Sequence, residues 1–231
     1  MFKIERLDWD SSFFGYEVGK IEVNDFAFFD FDNFIQRTKE FKLTYFFSKE
    51  VITLPNVPLV DRKVVLFQAC TEIGEVNNIM IQSFNAEKHS FDELKELALE
   101  SGIYSRFYSD KNFKNQEYQK LYTRWIENAV NDDTTFDIVI AVSNNSIIGF
   151  ATLNKKNSLL ADIGLVAVSK NSRGLGVGKQ LMQEAIVRSR KAGFKEIQVV
   201  TQLNNLAAMN LYKSTNFKIK EITNIYHLWN L

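Results

Sequence analysis

The order in which apolar and polar positions alternate predicts most of the elements. Two β-branched runs, 137–142 and 146–152, are separated by Ser143-Asn144-Asn145, which predicts a hairpin. A third strand follows over 159–168, and after it a helix with Leu181, Met182, Ala185 and Ile186 at helical spacing and Gly193 at its end. Residues 196–201 read as a strand, 204–213 as a helix, and 217–229 as returning strands. In the first half, 64–67 is a short buried strand. Ser90 followed by Glu93 and apolar residues 94, 97 and 98 fits a capping box and predicts a helix. Leu121, Trp125, Ile126 and Ala129 place a second helix over 119–130, and 102–117 reads as a loop. Pro55 and Pro58 mark a turn behind an N-terminal α/β stretch, and 78–84 opens a second unit. The expectation is a smaller α/β lobe over 1–74 and a main domain over 75–231.

Composition narrows the classes. The chain has 231 residues, 28 basic and 28 acidic, so bulk positive charge for nucleic acid is absent. One cysteine, Cys70, excludes a disulfide framework, and two histidines, His89 and His227, exclude most His-rich metal centres, so no metal is expected. No run approaches the ~18 apolar residues of a membrane span, and charges interrupt the N-terminus. The expectation is therefore a soluble cytoplasmic protein with no membrane or nucleic-acid partner. Eleven of the 20 Phe precede residue 50, which reads as an aromatic core.

The chemistry-bearing motif is Arg173-Gly174-Leu175-Gly176-Val177-Gly178 between a strand and a helix. Glycines let the backbone curl, and the first N–H groups of the helix, with its dipole, favour an anion there. A Walker loop is excluded because Gly178-Lys179 is followed by Gln180. The dinucleotide fingerprint is excluded because the spacing is G-x-G-x-G, late in the chain and after antiparallel strands.

Arg173-x-x-Gly176-x-Gly178, followed by Asn205-x-x-Ala208-x-x-x-Tyr212 and Phe217, resembles the two signatures of the GCN5-related N-acetyltransferase (GNAT) superfamily over roughly residues 78–231. The resemblance implies an α+β fold: a central mixed, mostly antiparallel sheet flanked by helices, with the N-terminal α/β lobe added. It implies an acyl-CoA cosubstrate, acetyl-CoA or a longer acyl-CoA. Backbone groups from Arg173 to Lys179 (Gly174, Leu175, Gly176, Val177 and Gly178 included) would hold its pyrophosphate. Val166, Val168 and Asn205 would bind its pantetheine arm. Asn216 stands where the superfamily usually has Gly, and Asn tolerates the positive φ of that turn. A homodimer is expected, because terminal strands often pair or exchange in this superfamily.

Acyl transfer to an amine needs a neutral amine, a stabilised oxyanion and a proton for the departing thiolate. The resemblance makes Tyr212 the general acid, with a backbone N–H near Val166 as oxyanion donor. For the base the residues leave Asp61 and Asp162 as carboxylates able to act through water. Leu7-Asp8-Trp9-Asp10-Ser11-Ser12-Phe13-Phe14-Gly15, Ser105-Arg106-Phe107 and Leu121-Tyr122-x-x-Trp125-Ile126-Glu127-Asn128-Ala129 resemble segments of bacterial TDP-fucosamine acetyltransferases. That resemblance favours Asp61 as base and implies a TDP-linked amino-dideoxysugar acceptor, used for surface polysaccharide. Arg106 and Phe107 would line its pocket, with Tyr104 and Tyr108 nearby. The alternatives are another small amine or peptide N-terminus as acceptor, and an acyl-CoA-binding sensor without turnover.

Overall fold

The computed structural model describes residues 3–23, 26, 29–71 and 81–230. In chain order the strands are β1 (Glu5–Arg6), β2 (Val18–Val23), β3 (Leu43–Ser48), β4 (Leu59–Ala69), β5 (Ile81–Ser83), β6 (Thr135–Ser143), β7 (Ser146–Lys155), β8 (Leu160–Val168), β9 (Glu196–Gln202) and β10 (Lys218–Trp229). The helices are α1 (Asp8–Phe14), α2 (Phe31–Thr38), α3 (Phe91–Ser101), α4 (Arg106–Ser109), α5 (Glu117–Asn131), α6 (Val177–Lys191) and α7 (Leu206–Ser214). The strands form one mixed sheet in the order β1-β2-β3-β10-β4-β9-β8-β7-β6-β5. Among the described residues, only β2–β3 and β8–β9 are parallel. This is the mixed, mostly antiparallel sheet expected from the sequence. The boundary expected at 74/75 and the opening residues Asn78–Met80 of the second unit lie outside the described residues. The sheet crosses that point, since β4 pairs with both β9 and β10.

Local rules account for the element ends. Asn144 and Asn145 both take positive φ, 49° and 63°, as the β6–β7 hairpin turn requires. Asn216 takes φ 67° between α7 and β10, so Asn does there what Gly would do. Ser90 caps α3 by accepting from the Glu93 N–H at 3.3 Å. The Glu93 carboxylate does not reach back to complete the box. It accepts from the Ile147 N–H at 3.0 Å and ties α3 to β7. The stretch expected as a loop over 102–117 contains the single turn α4, drawn in by burial of Phe107. Residues 217–229, expected as several strands, are one long strand with irregular pairing at Ile219/Glu221 and Ile225/Tyr226.

Helix α6 packs Leu181, Met182, Ala185 and Ile186 on one face of the sheet, against Val64, Leu66, Val139 and Val199. On the other face α3 and α5 bury Leu94, Leu97, Leu121 and Ile126 against Ile138, Ile140, Phe150 and Leu165. The early phenylalanines supply core: Phe34 and Phe46 are fully buried, and Phe26, Phe29 and Phe31 pack on them.

One irregularity positions the site. Ala151 faces Val166, but Leu153 faces Ile163, so β8 carries one extra residue opposite Thr152. The bulge reverses the alternation along β8. Ala161 and Ile163 point into the α6 side, whereas Leu165 and Ala167 point into the α3/α5 side. The Leu165 N–H donates to Thr152 Oγ1 at 2.9 Å and is thereby satisfied.

Candidate active site

Strands β8 and β9 pair only from Leu160↔Glu196 to Ile163↔Val199. Beyond that point β8 runs on to Val168 and β9 to Gln202 without further pairing, so the sheet opens as a wedge. A groove of about 540 Å³ lies there, walled by β8, the glycine loop and α7. It brings together Val166, Val168, Arg173, Gly174, Gly176, Val177, Gly178, Lys179, Asn205 and Tyr212. Leu175 is exposed and does not line it. Tyr104, expected beside Arg106, is in the wall of this same groove.

The glycines differ in what they do. Gly174 (φ 77°) and Gly176 (φ 81°) would have nothing within 4 Å of an added Cβ, so they are needed for conformation. Gly178 is tight instead: a Cβ there would meet Leu211 Cδ2 at 3.2 Å, a contact that a small shift of Leu211 must ease. Gly176 is the N-cap of α6, no side chain caps that end, and its first turn holds no acidic residue. The N-terminal N–H groups and the positive end of the dipole are thus left facing the groove. Arg173 is held beside the loop by donating to the Val168 carbonyl at 3.0 Å and to Glu100 at 3.2 Å. Asn205 caps α7 through Oδ1, which accepts from the Ala208 N–H at 3.2 Å, so its Nδ2 is the group available to donate elsewhere. These donors suit an elongated ligand with an anionic end. Tyr212, on α7, is buried, and burial holds its hydroxyl proton well above the usual phenol range. It is a neutral donor at any working pH.

Asp61 is near the start of β4, where a second cleft of about 350 Å³ is lined by Leu59, Val60, Asp61, Arg62, Leu203 and Asn204. Its Oδ1 is buried without a hydrogen-bond partner. Burial pushes its carboxyl up to about 6, against the opposing pull of the Arg106 charge. Asp162 differs: Gln198 Nε2 donates to it at 2.6 Å across β8 and β9. Burial raises it too, and the Gln198 bond opposes that rise.

The predicted acceptor residues separate. The Arg106 guanidinium lies over the rings of Tyr45 (4.9 Å) and Phe107 (4.4 Å) and acts electrostatically on Asp61 and Asp10. Phe107 is core, tilted against Phe113. Tyr108 is exposed and meets Tyr118 edge-on. The sequence reading missed His227, Asp110 and Trp229. His227 Nδ1 and Trp229 Nε1 both bond Asp110 Oδ2, at 2.6 and 2.8 Å. Their i, i+2 spacing on one strand places them on one face, but nothing local links them to Asp110. Cys70 is half-buried and its thiol is pushed up to about 11, so it stays protonated. His89 accepts from the Asn85 N–H ahead of α3. Among the described residues, no group of His, Cys, Asp or Glu is placed to hold a metal ion, and no helix is long and apolar enough to cross a membrane.

A splayed pair of parallel strands beside a bulge, with a glycine loop opening the following helix, forms a groove whose backbone donors suit an elongated ligand with an anionic end. The model of the acetyltransferase (GNAT) family matches residues 92–217, and the chain belongs to that family. It is an acyl-CoA-dependent N-acetyltransferase. The chain is 26% identical over 216 residues to dTDP-fucosamine acetyltransferase of Escherichia coli O6:H1, covering 90% of each chain. It is 26% identical over 135 residues to the spore coat polysaccharide biosynthesis protein SpsD of Bacillus subtilis, covering 58% of this chain and 46% of that one. Its fold is similar to a functionally unknown conserved protein from Staphylococcus epidermidis (TM-score 0.65, 9% identity, covering 93% and 85%). It is also similar to a GCN5-related N-acetyltransferase from Sphaerobacter thermophilus (TM-score 0.58, 11% identity, covering 91% and 73%).

Proposed function

We propose that this enzyme transfers an acyl group, acetyl in the simplest case, from acyl-CoA to the amine of a TDP-linked amino-dideoxysugar destined for surface polysaccharide. The observation that carries the acceptor is the similarity to dTDP-fucosamine acetyltransferase along 90% of both chains, which takes in the strands that precede the family match. The similarity to SpsD supports the same class of product.

Bound acyl-CoA supplies a thioester carbonyl open to attack. The loop and the first turn of α6 hold its pyrophosphate. The unpaired edge of β8 at Val166 and Val168, with Asn205 Nδ2, holds its arm. A backbone N–H of β8 near Val166 faces the carbonyl oxygen as it gains charge. The new C–N bond forms as the C–S bond breaks. Asp61 takes up, through water, the proton the amine loses. Tyr212 gives its proton to the leaving sulfur. Residues 1–74 contribute Asp61 and the ring of Tyr45 to the acceptor side. The reading includes a cytoplasmic homodimer. Because β10 is paired on both edges within one chain, such a dimer uses a surface other than a β10 edge.

Binding of TDP-amino-dideoxysugars, followed by calorimetry in the presence of CoA, tests the acceptor. Saturable binding of one such sugar is expected. Equal indifference to every TDP-sugar, with CoA bound normally, would remove the acceptor claim.

A further inference from the structure

Three buried polar atoms from three separate elements have no hydrogen-bond partner: His227 Nε2 on β10, Asp61 Oδ1 on β4 and Arg106 Nε on α4. Unpaired buried polar atoms are costly and uncommon. Two of them feel the charge to which the third belongs, the Arg106 guanidinium. Arg106 acts on Asp61, on Asp10 and on His227, and its guanidinium covers the Tyr45 ring, which lies 5.0 Å from the imidazole.

The protonation of His227 follows from its partner. Asp110 accepts from the Asn112 N–H at 3.0 Å, from Trp229 Nε1 and from His227 Nδ1. Burial works against its ionisation, but the bonds from His227, Asn112 and Trp229 outweigh this and hold it below the usual carboxylate value. An ionised carboxylate only accepts, so Nδ1 carries the hydrogen. Burial and the neighbouring Arg106 charge push the imidazole down to about 4, despite Asp110. His227 is therefore neutral, and its Nε2 presents a lone pair.

The cluster offers two acceptors, His227 Nε2 and Asp61 Oδ1, and one donor, Arg106 Nε. A phosphate only accepts. It would find the one unpaired donor, Arg106 Nε, beside His227 Nε2 and two carboxylates, Asp61 and Asp10. A polyhydroxylated ring carrying an amine has donors and acceptors to match all three. We propose that His227 is a specificity-determining residue that accepts a hydrogen bond from a ring hydroxyl of the acceptor sugar, with Arg106 donating to another oxygen of the same ring and Asp110 as the positioning residue. The nucleotide diphosphate binds elsewhere. This inference rests on the amino-sugar reading above.

The test uses the full chain, acetyl-CoA, a TDP-linked amino-dideoxyhexose and analogues each lacking one ring hydroxyl. The native enzyme is expected to prefer the hydroxylated sugar over one deoxy analogue by at least about tenfold in kcat/KM. His227→Phe should lose that preference: its kcat/KM falls on the hydroxylated sugar and holds on the deoxy analogue, with the KM for acetyl-CoA unmoved. Asp110→Asn, which keeps the imidazole but lets it change tautomer, should erode the preference in the same direction, and it decides the matter if His227→Phe does not fold. A preference ratio unchanged in the variants, or an equal loss on every sugar, overturns the role of His227 while leaving the amino-sugar acceptor standing. A native enzyme that acetylates no amino-sugar nucleotide overturns both.

Discussion

Thr152 Oγ1 accepts the Leu165 N–H at 2.9 Å, and this one bond satisfies the backbone group that the β8 bulge would otherwise leave buried and unpaired. Thr152 is itself buried. Thr152→Val keeps the shape and removes the acceptor. It should cost about 1–3 kcal/mol in chemical denaturation, the range for an orphaned buried donor. It should also lower kcat more than it raises the KM for acetyl-CoA, because in the proposed mechanism the bulged stretch of β8 supplies the N–H that meets the reacting carbonyl. A variant as stable and active as the native enzyme would show that the bulge holds without it.

The glycine loop separates conformation from space. Gly176→Ala places a Cβ in open space at φ 81°, so only the strain of a left-handed residue is added, about 1–2 kcal/mol. Gly178→Ala keeps an ordinary φ but presses Leu211 at 3.2 Å. Calorimetry with CoA should show weaker binding in both, and thermal melts should show the larger loss for Gly176→Ala if Leu211 yields. Unchanged CoA affinity in both would remove the loop from the binding site.

Tyr212→Phe removes a proton donor and little packing. The prediction is a fall of about 100-fold or more in kcat, the scale of general acid catalysis, with CoA affinity kept. Because burial holds the hydroxyl above the usual phenol range, the native pH–rate profile should show no Tyr212 limb in the alkaline range accessible to assay. Turnover unchanged in Tyr212→Phe would dismiss the acid role.

Asp61 links activity and stability with opposite signs. Its folded value of about 6 is above the 3.8 of a free aspartate. Between those values the native state keeps a proton that the unfolded chain has lost. This stabilising difference is complete below about pH 4, and it is lost as pH rises through about 6. Asp61→Asn, which never ionises, should therefore match the native melting temperature near pH 4. At pH 8 it should be the more stable of the two, by on the order of 2–3 kcal/mol, and melt higher. Native kcat/KM should fall below about pH 6, as the base is protonated. Asp61→Asn should be far less active at every pH. A variant less stable at pH 8 would mean the carboxylate is an asset to the fold.

Much of this was legible in the chain. Continuous β-branched runs marked β6 and β7, which bury both faces between α6 and the α3/α5 pair, and the 3.6-residue period marked α6, which buries one. Arg173 to Gly178 and Asn205 to Tyr212 were legible as a site because the groove is built from consecutive elements. The bulge was not legible, since Gly164 and Leu165 continue an ordinary strand pattern and only the pairing with Thr152 exposes the extra residue. Nor was the Asp110–His227 pair, which joins residues 117 apart across a sheet whose last strand is inserted between β3 and β4. Arg106 stood out in the chain beside Tyr104 and Phe107, but the fold parts them: Tyr104 turns to the groove and Phe107 to the core.

The central claim is the acceptor. The direct measurement is to incubate the purified protein with acetyl-CoA and a panel of TDP-amino-dideoxysugars, following thiol release and product mass together. The account predicts thiol release with one sugar of the panel, matched by the mass of one added acetyl group on that sugar. Bound CoA with no thiol release and no mass change on any of the sugars would contradict it.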